Sequence, residues 1–351
     1  MNAVHVVVPE GIDDPSRPSG GNSFDRRVCQ GLVAAGWSVH VHAVPGSWPR
    51  PDAASRAALA GAVGRIPDGA VVLIDGLVAS PAPEVLVPEA ARLRLVALVH
   101  MPLGGGTTEN GAREREGAVL WAAASVVTTS GWARRLLLEL YSLPGDRVRV
   151  AEPGVDAADL ASGTTAGALL SVAAVIPGKG HDVLLDALSM LGDSRWHCLC
   201  VGSLERDPAF AEGLRRRVID GGMDGRVRFS GPQTGADLER SYDSADLLVV
   251  PSRAETYGMV VTEALARGLP VVAADVGGVP EALGHGADGT RPGLLVPPAD
   301  PAALRDALRL WLDDADLRRR LRRAARERRA SLSPWSTTTG VVADVLVGAA
   351  R

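Results

Sequence analysis

The chain has 351 residues, 46% of them hydrophobic and 22% charged, with a formal net charge of −4. That length suggests two domains, and the composition is typical of a soluble globular protein. The charge balance gives no nucleic-acid footprint, no apolar run approaches membrane-helix length, and 3 cysteines cannot form a dense disulfide frame.

Residues 1–9 lack a basic leader segment and read as a first strand, not a signal peptide. A glycine-bearing loop from Gly11 to Gly21 follows, and 24–35 is the clearest helical pattern, stopped by Gly36. Further buried runs lie at 39–44, 71–74, 95–99, 126–129 and 148–151, with helical patterns between several of them. His5, His40, His42 and the later His197 fall within strands and read as structural, and Cys29 stands alone on a helix. His100 stands at the end of a parallel strand, where open α/β sheets bind ligands. The segment Gly104-Gly105-Gly106-Thr107-Thr108 behind it reads as a mobile acceptor loop.

Pro153-Gly154 marks a break, and the small, polar stretch 157–167 reads as a linker. A second series of buried runs follows at 169–175, 198–201, 227–229, 247–250, 271–274 and 294–296. Cys198 and Cys200 alternate within one strand, so both face the same side as core thiols, which suits a reducing cytoplasm. Alternating strands and helices imply parallel sheets with helices on both faces. Two such series predict two Rossmann-like α/β domains facing each other over a cleft. The boundaries are 1–156 and 157–333, with 334–351 a C-terminal helix able to pack back on the first domain.

Two motifs of the second half carry chemistry. Lys179 is the only lysine among 37 basic residues, and it stands between glycines in a strand-to-helix turn, Pro177-Gly-Lys-Gly-His. A compact ammonium there suits phosphate oxygens. Glu255 lies in the loop beyond the strand 247–250, and Gly258 lets the backbone approach a ligand where the helical pattern 259–266 begins. That helix start favours an anion such as a diphosphate. Glu263 lies deeper on the same helix. Two acceptor-only carboxylates suit hydroxyl groups, a sugar's at Glu255 and a ribose's at Glu263.

The chain closes with helical patterns at 301–312, 317–330 and 335–347. Eight arginines crowd the middle one: Arg318, Arg319, Arg320, Arg322, Arg323, Arg326, Arg328 and Arg329. A solvated helix with charge favourable to its C-terminus is preferred over membrane contact, because the apolar face is short and mostly alanine. Any membrane contact is at most peripheral.

From 169 to 281 the chain resembles the retaining nucleotide-sugar glycosyltransferases called family four, which have the two-domain GT-B fold. The resemblance is carried by Lys179-Gly180, Val201-Gly202-Ser203, Phe229-Ser230-Gly231, Ala245-Asp246, the stretch Pro251 through Glu263, and Gly277-Gly278-Val279-Pro280-Glu281. The first half matches more loosely, through Ser19-Gly20-Gly21-Asn22, Val99-His100-Met101-Pro102-Leu103 and Ser130. The resemblance implies a hexosyltransferase-like, retaining enzyme. Glu255 would hold the donor sugar and Glu263 the ribose. Lys179 would neutralise the leaving diphosphate, helped by amides around Gly258 and Met259 and by those of Gly20 and Gly21. Gly202, Ser230 and Gly231 would border the nucleotide, and Thr256 and Tyr257 complete the donor-binding stretch. His100 would touch sugar or acceptor near the reacting carbon, so Glu255, His100 and Lys179 form the expected catalytic set. The donor is a nucleotide diphosphate sugar and no cofactor or metal is expected. The acceptor, a sugar, lipid or small metabolite, is not identified by the sequence, and neither is the oligomeric state.

One position departs from the family's pattern. Ala174 stands five residues before Lys179, where the family usually has an arginine on the diphosphate, and Gly178 stands where a basic residue is frequent. Arg253, Arg134, or Arg26 and Arg27 are candidate substitutes. The departure keeps open a non-catalytic or weakened nucleotide-binding homologue acting as a partner subunit. A same-fold epimerase or phosphorylase is the nearer rival, but a phosphorylase needs a pyridoxal-binding lysine and the only lysine is already assigned. Other readings fall away. Asp314-Ala315-Asp316 has the letters of a metal motif but sits where an aspartate caps a helix. The loop Gly11 to Gly21 is too long for a nicotinamide fingerprint, and Lys179 is followed by Gly180, not the Ser or Thr of a Walker motif.

Overall fold

A computed structural model describes residues 2–14, 18–105, 111–192 and 194–351. The chain divides into two compact units. The first contains Gly20–Gly154 and Ser333–Arg351 together with the N-terminal strand; the second contains Val155–Leu332.

The first unit is a six-stranded parallel sheet built from β1 (Ala3–Pro9), β2 (Ser38–Val44), β3 (Val71–Asp75), β4 (Arg94–Val99), β5 (Ser125–Thr128) and β6 (Val148–Val150). Its helices are α1 (Gly20–Ala34), α2 (Ala53–Val63), α3 (Gly76–Ala79), α4 (Pro83–Glu89), α5 (Ala112–Ala122) and α6 (Gly131–Tyr141). The strand order is β2-β1-β3-β4-β5-β6, so the order reverses between β1 and β3. β3 is buried along its whole length, as its apolar run 71–74 requires of a central parallel strand. β2 is the edge strand and is largely solvated on one face. There His5 and His42 form a 2.9 Å hydrogen bond and His40 stacks on His5, a surface cluster within the sheet as the sequence suggests.

The second unit repeats the plan with β7 (Ala168–Val172), β8 (His197–Val201), β9 (Val227–Gly231), β10 (Leu247–Val250), β11 (Val271–Ala274) and β12 (Gly293–Val296). Its helices are α7 (His181–Ser189), α8 (Pro208–Asp220), α9 (Gly235–Asp243), α10 (Met259–Ala266), α11 (Val279–Leu283), α12 (Pro301–Asp313) and α13 (Ala315–Arg329). The sheet runs β12-β11-β10-β7-β8-β9, all parallel, with its order reversing between β7 and β10. The core beneath is aliphatic, with Trp311 and Tyr242 its largest fully buried side chains. Cys198 and Cys200 are both buried on one side of β8, 4.0 Å apart at sulfur.

The last helix, α14 (Trp335–Ala349), belongs to the first unit and packs on α1 and β4. Thr338 donates to the carbonyl of Glu152 at 2.7 Å, and Phe24 meets the edge of Trp335. A Cβ at Gly31 would stand 2.2 Å from the Thr339 hydroxyl, so the glycine lets α1 and α14 approach closely.

Two expectations change. The first helix begins at Gly20, four residues before the predicted start, so Gly20 and Gly21 form its first turn. The stretch 157–167 has no regular structure, yet it is fastened to the second unit at several points. The Ser162 amide donates to Asp243 at 2.9 Å. Asp246, with no exposed side-chain surface, accepts from the Thr164 amide, the Thr164 hydroxyl and the Ala168 amide at 2.8, 2.5 and 3.0 Å. Small polar residues predict a loose linker; the buried carboxylate makes it a strap. Asp314 caps α13 through the amides of Asp316 and Leu317, as the helix-cap reading requires.

Candidate functional site

In an open α/β sheet the loops at the reversal of strand order, beyond the strands' carboxyl ends, diverge and leave room for a ligand. In the second unit those loops follow β7 and β10. Lys179 closes a single 3-10 turn, Pro177–Lys179, and Glu255 lies in the loop after β10. Lys179 Nζ donates to Glu255 Oε1 at 2.6 Å, and Ser252 Oγ donates to the same oxygen at 2.8 Å. The pair is partly solvated, with 25% of the lysine and 12% of the glutamate side chain exposed.

Two glycines make this approach possible. Gly180 has φ +70°, and a Cβ there would stand 2.0 Å from the Pro251 carbonyl oxygen. Gly277 has φ +55°, and a Cβ there would stand 1.6 Å from the Glu255 carbonyl oxygen. Any larger residue would push the two loops apart.

Glu263 lies one helix further in, on α10. Tyr242 donates to its Oε2 at 2.7 Å, and burial raises its pKa above the usual carboxylate range. Gly258 precedes the first turn of α10, so the amides there have no partner within the helix. Gly202, after β8, donates its amide to the carbonyl of Gly231 at 3.0 Å, and Ser230 Oγ donates to that carbonyl at 3.0 Å. The structure thus joins Lys179 to Glu255 and Gly202 to Ser230 and Gly231. Thr256 and Tyr257 are buried, Tyr257 in the core cluster with Val261 and Val279, so what they offer a ligand is backbone.

Arg253 is not a spare cation for the position vacated at Ala174. It is bidentate to Asp182 at 2.8 and 2.7 Å and donates to the Pro177 carbonyl at 2.6 Å, which braces the lysine loop. Arg134 is likewise spent on the carbonyls of Val148 and Gly145. His181, next to Gly180, is fully buried, and among the described residues neither ring nitrogen has a hydrogen-bond partner. Burial lowers its pKa to about 4, so it adds no charge at neutral pH.

The first unit gathers a second group of residues near its own reversal of strand order. His100 follows β4, and its Nε2 lies 2.8 Å from Asp25 Oδ1 on α1. Asp75 closes β3 and accepts from the Leu77 amide at 2.7 Å. A Cβ at Gly21 would come within 3.3 Å of the His100 ring, so the glycine turn leaves space for it. Sequence reasoning selects His100 and the glycines but misses both aspartates. The missed signal at Asp75 is an acid ending an otherwise apolar strand; Asp25 has no local signal. Glu116, also missed, is fully buried and accepts from Ser80 Oγ, the Leu103 amide, the Gly104 amide and the Tyr141 hydroxyl. It pins the turn that follows His100. Gly106, Thr107 and Thr108 of the expected acceptor loop lie outside the described residues. Ser130 caps α6 through the Ala133 amide at 3.0 Å.

Among the described residues, Asp25, Asp75 and His100 are the one group of three whose nitrogen or oxygen ligand atoms lie within 4.8 Å of one another. A direct hydrogen bond already joins two of them, so the cluster reads as linked by protons. Among the described residues no helix is long and apolar enough to cross a membrane.

Residues 156–328 match the model of the family described as glycosyl transferases group 1. Among curated proteins, a D-inositol 3-phosphate glycosyltransferase of Jonesia denitrificans is 32% identical over 244 residues, covering 64% of this chain and 56% of that protein. The D-inositol 3-phosphate glycosyltransferase 1 of Catenulispora acidiphila is 32% identical over 285 residues, covering 75% of this chain and 66% of that protein. The chain spans about half the length of most of these relatives. Among solved structures, sucrose-phosphate synthase from Thermosynechococcus elongatus superposes with a TM-score of 0.79 at 20% identity over 99% of both chains. Anabaena HepE in complex with UDP and glucose gives a TM-score of 0.79 at 17% identity, over 99% of this chain and 100% of that one. These structural likenesses fix the fold as GT-B.

Proposed function

We propose that this chain, which belongs to the group 1 glycosyl transferase family and has its GT-B fold, moves a sugar from a nucleotide diphosphate sugar to a small hydroxylated acceptor with retention at the anomeric carbon. The observation that carries the reading is the Lys179–Glu255 pair on adjoining loops beyond β7 and β10. Lys179 and the amides at the start of α10, Gly258 and Met259, stabilise the diphosphate as it leaves. Glu255 holds the sugar's hydroxyls and Glu263 the ribose's. Gly202, Ser230 and Gly231 border the base. In the first unit, His100 and the amides of Gly20 and Gly21 serve the reacting end of the substrates. The acceptor oxygen bonds to the anomeric carbon as the carbon–phosphate-oxygen bond breaks, and the leaving phosphate oxygen takes the acceptor's proton. Catalysis then rests on positioning and charge stabilisation, with no protein nucleophile and no metal in the chemical step. The names of the relatives make a polyol phosphate such as D-inositol 3-phosphate the first acceptor to test.

One observation favours a second reading. Ala174 removes a diphosphate cation and Arg253 is committed to Asp182, which fits a weakened, nucleotide-binding partner subunit. Incubating the protein with UDP-, GDP-, ADP- and TDP-sugars plus D-inositol 3-phosphate, and reading the product anomer by NMR, separates the two. An axially linked product from an axial donor supports the transferase. An inverted product contradicts retention, and nucleotide binding without product at any donor favours the subunit.

A further inference from the structure

The first unit buries a carboxylate oxygen that has nothing to bond. Asp25 Oδ1 takes His100, but Oδ2 is enclosed and makes no hydrogen bond among the described residues, and the Asp25 side chain is 1% exposed. A bare buried carboxylate oxygen is costly, so a proton donor beside it is favoured. Asp75, another carboxyl and itself buried, has an oxygen within 4.8 Å of the atoms offered by Asp25 and His100. Two carboxylates at such range beside a single imidazole repel each other when both are ionised, whereas a proton between them satisfies both.

We propose that Asp25 and Asp75 share one proton, and that this acid–carboxylate pair holds His100 as an imidazolium, with Nε2–H on Asp25 and Nδ1–H left for a substrate oxygen. In this arrangement the Asp75 hydroxyl donates to Asp25 Oδ2, and Asp25 keeps the negative charge that faces the ring. Among the described residues Nδ1 makes no hydrogen bond within the chain. The ring is held by the edge of Phe24 at 5.2 Å between centroids and by the space that Gly21 leaves. Asp25 and Asp75 are therefore positioning residues, and they act through His100. Titration agrees with the geometry. Burial lowers the His100 pKa, but the charge and hydrogen bond of Asp25 outweigh it, with a smaller contribution from Asp75 once that carboxyl ionises, and raise it to about 9. Burial and the Asp25 charge raise Asp75 to about 7, against the opposing effects of His100 and the Leu77 amide. Cys29, also on α1, has its thiol pushed up to about 12 by burial, by Asp25 and by Asp13, so it stays neutral. From α14 the nearest ring is Trp335, which does not titrate.

What the imidazolium acts on rests on the transferase reading; its protonation state does not. The first measurement is therefore 15N NMR of the histidine rings in the full chain, with His100→Gln for assignment. His100 doubly protonated at pH 7.5 and titrating near 9 supports the pair. A neutral ring at pH 7.5, or titration near 6.5, overturns it. Asp25→Asn is expected to return the ring to neutral at pH 7.5. Asp75→Asn keeps an N–H for Asp25 Oδ2 and is expected to leave it charged. Loss of the charge in Asp75→Asn with retention in Asp25→Asn would also overturn the pair. So would Zn²⁺ binding one per chain at micromolar levels and collapsing the His100 signal, since the cluster would then be a cation site. In a transfer assay, Asp25→Asn should lower kcat about a hundredfold with donor KM unchanged, and Asp75→Asn should stay within about threefold of the parent. A His100 titration as expected alongside absent transfer would sink the transferase reading alone.

Discussion

Lys179 and Glu255 pair with each other, yet each is assigned to a different part of the donor. Binding must therefore exchange one partner for another: the ammonium turns to phosphate and the carboxylate to sugar hydroxyls. Charge-assisted hydrogen bonds are worth about 1.5–3 kcal/mol, so Lys179→Ala should weaken nucleoside diphosphate binding about 10- to 100-fold. Glu255→Gln should instead bind the bare diphosphate at least as tightly as the parent, by releasing Lys179, while transfer falls about a hundredfold. Calorimetric titration of both variants checks this, and equal losses of binding would contradict the exchange. The buried triad sets a pH dependence of stability. His100 has its pKa raised from 6.5 to about 9, so its contribution is complete below pH 6.5 and is lost as pH rises through 9. Asp75 is raised from 3.8 to about 7, so its contribution is complete below pH 3.8 and is lost as pH rises through 7. Denaturant unfolding should accordingly show stability falling by about 4 kcal/mol between pH 6 and 9.5, with a smaller fall in Asp75→Asn. Legibility at this scale depends on range. Lys179 and Glu255 stand in local patterns that announce a loop after a strand. Asp25 sits among charged residues of an ordinary helix and gains its meaning only from His100, 75 residues away.

The elements of the second unit are held by one buried acid and a line of arginines. Asp246 ties the strap 157–167 to β7, and Arg322 of α13 reaches the same carboxylate at 3.1 Å. Asp246→Ala leaves several donors and a guanidinium unmatched, and should cost about 3 kcal/mol or more in chemical unfolding. The α13 arginines are staples more than a solvated charge run. Arg318 donates to the carbonyls of Trp311 and Leu312, Arg328 to that of Leu283, and Arg329 to that of Ala158. Arg329→Ala should destabilise by about 1 kcal/mol, whereas Arg320→Ala, at an exposed position, should change stability by less than about 0.5 kcal/mol. Equal effects of the two would show that the stapling contacts add nothing. A row of arginines reads as surface charge in a sequence because carbonyls such as those of Leu283 and Ala158 that receive them come from distant segments.

For the whole molecule, periodicity is what made the fold readable. Short, fully apolar runs such as 71–74 and 247–250 can only be central parallel strands when glycine-stopped helical patterns alternate with them. Both sheets reverse their strand order, at β1/β3 and at β7/β10, and both candidate residue groups come from elements next to those reversals. The strap was unreadable for the opposite reason: its order comes from partners such as Asp243 and Asp246, some eighty residues downstream, not from its own composition. The most direct test of donor use is thermal unfolding of the parent and Lys179→Ala with UDP, GDP, ADP and TDP, each with and without magnesium. A ligand bound only by the folded state at 100 times its Kd adds about 2.7 kcal/mol of stability. One nucleotide is predicted to raise the melting temperature of the parent, with no dependence on magnesium, and to lose that effect in Lys179→Ala. No shift with any nucleotide at millimolar concentration, or an equal shift in Lys179→Ala, would contradict the assignment of the donor site.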